Sequence, residues 1–189
     1  PFNGFPTMPQ DSEDCTGPAG RTCDSASGSA GLDCRAFRGA LGSFATGVTV
    51  VTALSPDGQP MGLTVNSFAA VSLQPPLVLW SLAVSANLLE SFRRASHYCI
   101  NVLTADQEDL SNRFATWPTD RFAGLPWRPG YGGAPILEGV SAHFEVRNDH
   151  QYPGGDHLIF VGEVLQFAHN SDTRPLLFHR GRYRCLVDN

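Results

Sequence analysis

From Asp33 onward the hydrophobic rhythm of the chain changes period, and each period predicts a different element. In "DCRAFRGALGSFATG" the apolar residues Phe37, Ala40, Leu41 and Phe44 recur every three or four positions, the spacing of one helix face. Asp33 is the candidate N-cap, and Gly47 lies beyond the helix end. Three β-rich runs follow, Val48–Leu54, Met61–Val71 and Leu77–Leu82, separated by a Pro-Asp-Gly turn and a Gln-Pro-Pro turn. Short helices are predicted at Leu88–Ala95 and Gln107–Ala115, with a strand Tyr98–Leu103 between them. "VSAHFEVRN" alternates, with Val140, Ala142, Phe144 and Val146 on one face. A strand opening at "GGDH" runs to about Phe167, and Leu176–Arg184 closes the chain. There is no repeat and no regular βαβ alternation. Short antiparallel strands with a few inserted helices predict a mainly β fold, a β-barrel with Greek-key connections.

Residues 1–32 follow no such rhythm. "DSEDCTGPAGRTCDSASGSAG" is rich in Ser, Gly and Asp and nearly devoid of large apolar residues. Such a stretch buries too little surface to offset its ordering entropy, so a flexible extension is expected, with the folded domain beginning at residue 33. At 189 residues the chain is long enough for one sizeable core and one domain.

Charge and cysteine content narrow the function classes. The formal net charge is -5 and no Lys/Arg run occurs, which argues against nucleic acid or an anionic membrane surface as partner. No apolar stretch approaches the ~20 residues of a membrane span, and no basic segment followed by an apolar run marks a secretory leader. Cys15, Cys23, Cys34, Cys99 and Cys185 form no CxxC pair and are odd in number, which points to a reduced, cytoplasmic protein rather than a disulfide framework. Cys99 sits in an apolar strand pattern and reads as a small buried hydrophobe; the three N-terminal cysteines fit no standard zinc spacing and read as incidental.

Three stretches carry candidate chemistry. In "SANLLES", Asn87 and Glu90 take the N-cap and N3 positions of the following helix, with Ser85 just outside. This is an ordinary cap, or else an anion site where Ser85, Asn87 and backbone amides hold a phosphate. In "GLTVNSF", Gly62, Thr64 and Asn66 fall on one face of a strand, opposite Leu63 and Val65, with Ser67 following. That polar stripe is a solvated sheet face, or else lies along the hydrogen-bonding edge of a planar heterocycle. The third is the Asp156–His157 pair after Gly154 and Gly155, which stabilises a turn or meets a ligand. No HxxxH or HExxH metal spacing, no GxGxxG fingerprint and no nucleophile elbow occurs, so no metal site is expected.

"FRGALGSFATGVTVVTA", "GLTVNSFAAVSLQPPLVLWSL", "INVLTADQEDLSNRFA", "DRFAGLPW", "GGDHLIFVGEV" and "PLLFHRGRY" together resemble the flavin reductase-like family. Its members are short-chain NAD(P)H:flavin oxidoreductases on the FMN-binding split-barrel fold. The likeness covers Cys34 to about Arg184, in the family's motif order. The resemblance implies that Thr64, Val65, Asn66 and Ser67 lie along the isoalloxazine ring. It further implies that Ser81, Leu82 and Ala83 offer backbone to the ring edge, and that Ser85 and Asn87 reach the flavin phosphate. Many relatives carry Arg or Lys in that last loop, whereas "AVSANLL" has neither, so loose flavin binding is expected.

The G-D-H motif, here Gly155, Asp156 and His157, is associated in the family with the nicotinamide nucleotide. Hydride transfer from nicotinamide to flavin is cofactor chemistry that needs ring stacking and charge management more than a general base. His157 as donor to the dinucleotide, with Asp156 setting its tautomer, fits that need. The implied activity is an NAD(P)H-dependent flavin reductase using FMN, with FAD as an alternative, and NADH or NADPH as hydride donor. Reduced flavin then goes to a separate flavin-dependent monooxygenase. A flavin-holding electron carrier or a non-catalytic interaction protein are the competing readings. Because a split barrel leaves edges and apolar faces open, a homodimer with flavin near its interface is expected.

Overall fold

In the computed structural model of the chain, residues 32–116 and 120–186 are described. The expected extension, apart from Leu32, and with it Cys15 and Cys23, lies outside them. Helix α1 (Cys34–Leu41) begins as anticipated, with the Asp33 side chain accepting from the Arg35 N–H at 2.8 Å. It stops at Gly42, short of Phe44, and none of its residues is buried. Phe37, Leu41 and Phe44 therefore form an apolar stripe open to solvent. Cys34 is disulfide-bonded, which corrects the reading of it as incidental; Cys99 and Cys185 are free.

The strands are β1 (Thr46–Gly47), β2 (Thr49–Leu54), β3 (Pro60–Val65), β4 (Ala69–Leu73) and β5 (Pro76–Ala83). The run expected as one strand from Met61 to Val71 is thus two, broken at Asn66–Phe68. Asn and Ser favour local side-chain hydrogen bonds over a ladder, and here the Ser67 hydroxyl bonds to β5 instead. Then come α2 (Leu89–Arg94), β6 (His97–Val102), α3 (Glu108–Ala115), β7 (Trp127–Pro129) and β8 (Pro135–Leu137). The long hairpin of β9 (Ala142–Gly154) and β10 (His157–His169) and the short one of β11 (Leu177–His179) and β12 (Arg182–Arg184) complete the order. Among the described residues no helix is long and apolar enough to cross a membrane.

The fold is mainly β, and its principal sheet has seven strands in the order β3-β2-β6-β9-β10-β5-β4, every pair antiparallel. Its two edge strands, β3 and β4, are consecutive in the chain. Laid flat at ~4.8 Å per strand, those edges would stand about 29 Å apart. The short link from Val65 to Ala69 reaches at most about 14 Å. The sheet must therefore curl strongly. Its concave face holds Val51, Leu63, Trp80, Phe92, Tyr98 and Phe160 in one cluster, each less than a tenth exposed. A second cluster under α3 joins Val48, Val50, Leu103, Phe114 and Leu176.

In β9 the expected apolar face forms, but the alternating polar residues His143 and Glu145 are buried as well, covered by the β7–β8 segment. Glu145 accepts from the Tyr131 N–H at 2.7 Å, and His143 lies 3.7 Å from the same carboxylate. Burial first, and then the charge of Arg128, push the His143 imidazole below its ordinary value, against the pull of Glu145. The folded chain resists a proton that the unfolded chain takes up below about pH 6.5. Stability should hold above that pH and decline as pH falls below it. Replacing His143 with glutamine should flatten the decline in melting curves taken between pH 5 and 7.

Candidate functional site

The sheet brings three of the sequence-predicted stretches to one rim. Strands β5 and β10 pair so that Ala83 faces His157 and Ser81 faces Ile159. Just beyond, the Val84 N–H donates to the Asp156 carbonyl at 2.9 Å. The turn closing β9 onto β10 needs a left-handed residue, which Gly155 supplies at φ 69°. From the other side, the Ser67 hydroxyl accepts from the Ser81 N–H at 3.0 Å and meets the Ser81 carbonyl at 3.2 Å. That clasp ties the β3–β4 link to the middle of the rim. Asn66, Ser67, Ser81, Ala83, Ser85, Asp156 and His157 thus gather around the end of β5.

Within this rim the Asp156 carboxylate accepts from His157 Nδ1 at 2.7 Å. The hydrogen bond from His157 is the main cause holding the Asp156 carboxyl below its usual range; a weak burial effect opposes it, and the charges of His157 and Arg38 add to it. With Nδ1 committed as donor, Nε2 is the ring nitrogen left for another partner. The His157 side chain is 29% exposed and that of Asp156 89%, so the imidazole is seated while its carboxylate faces water.

Other expected residues offer only backbone. The Thr64 hydroxyl donates to the Ser111 carbonyl at 2.7 Å inside the protein. A Cβ at Gly62 would come within 2.9 Å of the Phe114 ring, so this strand glycine answers the close approach of α3. At Gly62 and Thr64 this face is therefore covered by α3 rather than solvated. Val65 and Leu82 point into the main core.

The "SANLL" stretch departs from the expected cap. Helix α2 takes Leu88 as N-cap with no side-chain bond, and Glu90 pairs with Arg93 at 2.9 Å. The cause is a turn closed by the Ala86 N–H on the Ala83 carbonyl and the Leu89 N–H on the Ala86 carbonyl, which delays the helix. Buried Ala86 anchors that turn, and Ser85 and Asn87 on either side are exposed.

Two supports were not foreseen. Arg121 reaches back to donate to the Gly62 carbonyl at 2.6 Å and the Thr116 carbonyl, and half-burial lowers its guanidinium's affinity for the proton. Tyr183 meets Ser111 at 2.8 Å, tying the C-terminal hairpin to α3. The only sequence signal for the first is Asp120 beside Arg121, whose carboxylate caps the Phe122 and Ala123 N–H groups.

Comparisons with known proteins place the chain in a family. The chain is 51% identical over 153 residues to FMN reductase (NADH) SmoA of Agrobacterium fabrum, spanning 81% of this chain and 86% of that protein. It is 40% identical over 162 residues to the flavin-dependent monooxygenase reductase subunit HsaB of Rhodococcus jostii, spanning 86% and 83%. Among solved structures, the Streptomyces globisporus NADH:FAD oxidoreductase SgcE6 in complex with NAD and FAD fragments superposes with a TM-score of 0.78 at 38% identity, over 82% of this chain and 93% of that one. Residues 41–186 match the flavin reductase like domain, and the chain belongs to that family.

Proposed function

We propose that this chain is an NADH-dependent flavin reductase that turns over free FMN or FAD and supplies reduced flavin to a separate monooxygenase. The observation that carries the reading is the junction of the flavin-side strand end with the Asp156–His157 turn, made by the Ala83–His157 pairing and the Val84–Asp156 hydrogen bond. Flavin bound there accepts a hydride from the nicotinamide. The polar groups suit an uncharged ring system: the backbone at the end of β5 beyond the Ser67–Ser81 clasp, the exposed Asn66 amide, and no lysine or arginine in the Ser85–Asn87 loop. That lack of a cation suits flavin that arrives and leaves as a substrate. His157, oriented by Asp156, meets the nucleotide through Nε2 and holds its ring over the flavin.

Turnover is the test. With catalytic amounts of protein, NADH absorbance should fall by many equivalents when excess FMN or FAD is present. Reduction limited to one flavin per chain would favour the electron carrier and sink the reductase.

Ser85 and Asn87 act as hydroxyl and amide donors to the flavin phosphate. Exposed hydrogen bonds of this kind contribute ~0.5–1.5 kcal/mol each, so replacing both with alanine should weaken FMN binding about tenfold. Neither caps α2, so melting should not change, and riboflavin, which lacks the phosphate, should bind as before. Equal losses for FMN and riboflavin would rule the assignment out.

The strongly curled sheet serves as an FMN-binding split barrel with Greek-key connections, and the chain works as a homodimer. Leu73, 89% exposed on edge strand β4, and Phe44, 78% exposed after α1, belong to apolar surface that a second subunit would cover. Sedimentation at micromolar concentration should give twice the 20.4 kDa chain mass. A purely monomeric species would refute the dimer.

A further inference from the structure

The sheet face that carries His157 also carries an aromatic pair with no role so far. In an antiparallel ladder directly opposed residues share a face, and every second residue along a strand returns to it. His157 is opposed by Ala83 on β5 and by Gly154 on β9, and Ile159 by Ser81 and Tyr152. No register shift interrupts this stretch of either pairing. His157, Ile159 and Tyr152 therefore stand on one face. It is the face away from the core, because the intervening Leu82 and Leu158 pack into the main cluster.

That face is uneven around His157. Its two cross-strand neighbours, Ala83 and Gly154, carry only a methyl group and a hydrogen, so the imidazole rises between low positions. A Cβ on Gly154 would lie 3.0 Å from Ile159 Cδ1, so the Ile159 side chain leans over that glycine as an apolar floor. Tyr152 closes the far side. It is the diagonal cross-strand neighbour of His157, a Cβ separation of ~7–8 Å that aromatic side chains bridge. Tyr152 is 52% exposed, and the His150 ring backs it with centroids 6.1 Å apart. The result is a notch with His157 and Tyr152 as walls and Ile159 as floor.

We propose that this notch receives the adenine of the nicotinamide dinucleotide, stacked on the Tyr152 ring, which makes Tyr152 a specificity residue for the donor. This rests on the reading of His157 as the nucleotide contact. In that reading the nicotinamide lies over flavin on the β5 side of His157. Tyr152, on β9, is two strands from β5, ~9–10 Å at ~4.8 Å per strand. Stacked rings touch at ~3.5–4 Å, so a nicotinamide on the flavin does not also reach Tyr152. The second base of the dinucleotide does, with His157 between the two. Tyrosine suits the task because it offers a large flat surface at little cost in side-chain freedom. Stacking of a base on such a ring also needs no cation.

The variants are Tyr152→Ala and Tyr152→Phe in the full chain. Each is assayed with NADH and with reduced nicotinamide mononucleotide, which lacks the adenosine half, alongside FMN affinity, sedimentation and melting temperature. Tyr152→Ala should raise KM for NADH about five- to tenfold, the lower part of the range for removing a base-stacking ring, with kcat little changed. KM for the mononucleotide and FMN affinity should stay at wild type, and Tyr152→Phe, which keeps the ring, should restore NADH. The wild type itself should show a higher KM for the mononucleotide than for NADH. A folded Tyr152→Ala protein with wild-type KM for NADH overturns the proposal. So do equal losses with both donors, whether or not the chains dissociate, since they would make Tyr152 a support of the fold or of a subunit contact. If His157→Ala is impaired with both donors while Tyr152→Ala is normal, only the adenine notch falls. If His157→Ala is normal with both, the reading beneath falls and the notch with it.

Discussion

His157→Ala is expected to lower kcat/KM for NADH by roughly 10- to 100-fold and to leave FMN affinity close to wild type. The figure is the loss of one hydrogen bond to a charged or strongly polar group, ~1.5–3 kcal/mol, converted to rate. Nδ1 is engaged by Asp156 at 2.7 Å, so the bond lost would be the proposed one through Nε2. If the contact is shared by ground and transition states, the effect falls on KM; if it aligns the nicotinamide, kcat falls as well. Asp156→Asn gives a smaller defect of the same kind, since the amide still reaches Nδ1 without the charge. The Asp156 carboxyl is held below its ordinary value, so its contribution is complete above ~pH 4 and is lost only as pH falls further. A folded His157→Ala enzyme with wild-type kcat/KM for NADH ends the assignment. If the pair only secures the turn, both variants instead melt earlier with unaltered rates per folded molecule.

Trp80→Ala costs ~3–5 kcal/mol of folding stability, the range for removing a large aromatic from a packed core. Trp80 is fully buried. Its ring stacks on Phe160 at 4.5 Å and meets Phe92 and Tyr98 edge-on at 5.1 and 5.7 Å. These rings join β5, β10, β6 and α2, so one truncation loosens every element that supports the His157 rim. A domain of this size loses ~2–4 °C of melting temperature per kcal/mol, so a drop on the order of 10 °C is expected in calorimetry. Trp80→Phe keeps a ring in the stack and should lose much less. A Trp80→Ala protein melting within 2 or 3 °C of wild type would mean that the aromatic cluster does not hold the rim together.

Much of the geometry of the candidate rim was legible along the chain because it is built from local signals. Gly155 before Asp156 and His157 marks a left-handed turn, and that turn presents the pair at the strand end. Asp33 capped its helix because an N-cap needs only its own neighbours. The Asn87 cap failed for a non-local reason: burial of Ala86 against the core sets the turn and moves the helix start past it. The single strand expected from Met61 to Val71 failed likewise, since Ser67 finds its partner fourteen residues away on β5.

Alternating apolar runs, turn residues at Pro56–Gly58 and Gln74–Pro76, and the ordered motifs were enough to specify a mainly β chain and its family. Periodicity and turn chemistry act over a few residues, so they survive in a linear string. What covers each face of a strand was decided only in three dimensions. Gly62 and Thr64 read as either a solvated face or a ligand edge, and the structure packs Phe114 and Ser111 of α3 against them. The alternation of β9 marked only its apolar face, yet His143 and Glu145 opposite it are buried too, under the β7–β8 segment. Gly42 and Arg180, more than a hundred residues apart in the sequence, meet through a hydrogen bond from the Arg180 N–H to the Gly42 carbonyl. A strand pattern states that two faces differ; what covers each face depends on elements distant in the chain, and only the packed fold brings those together.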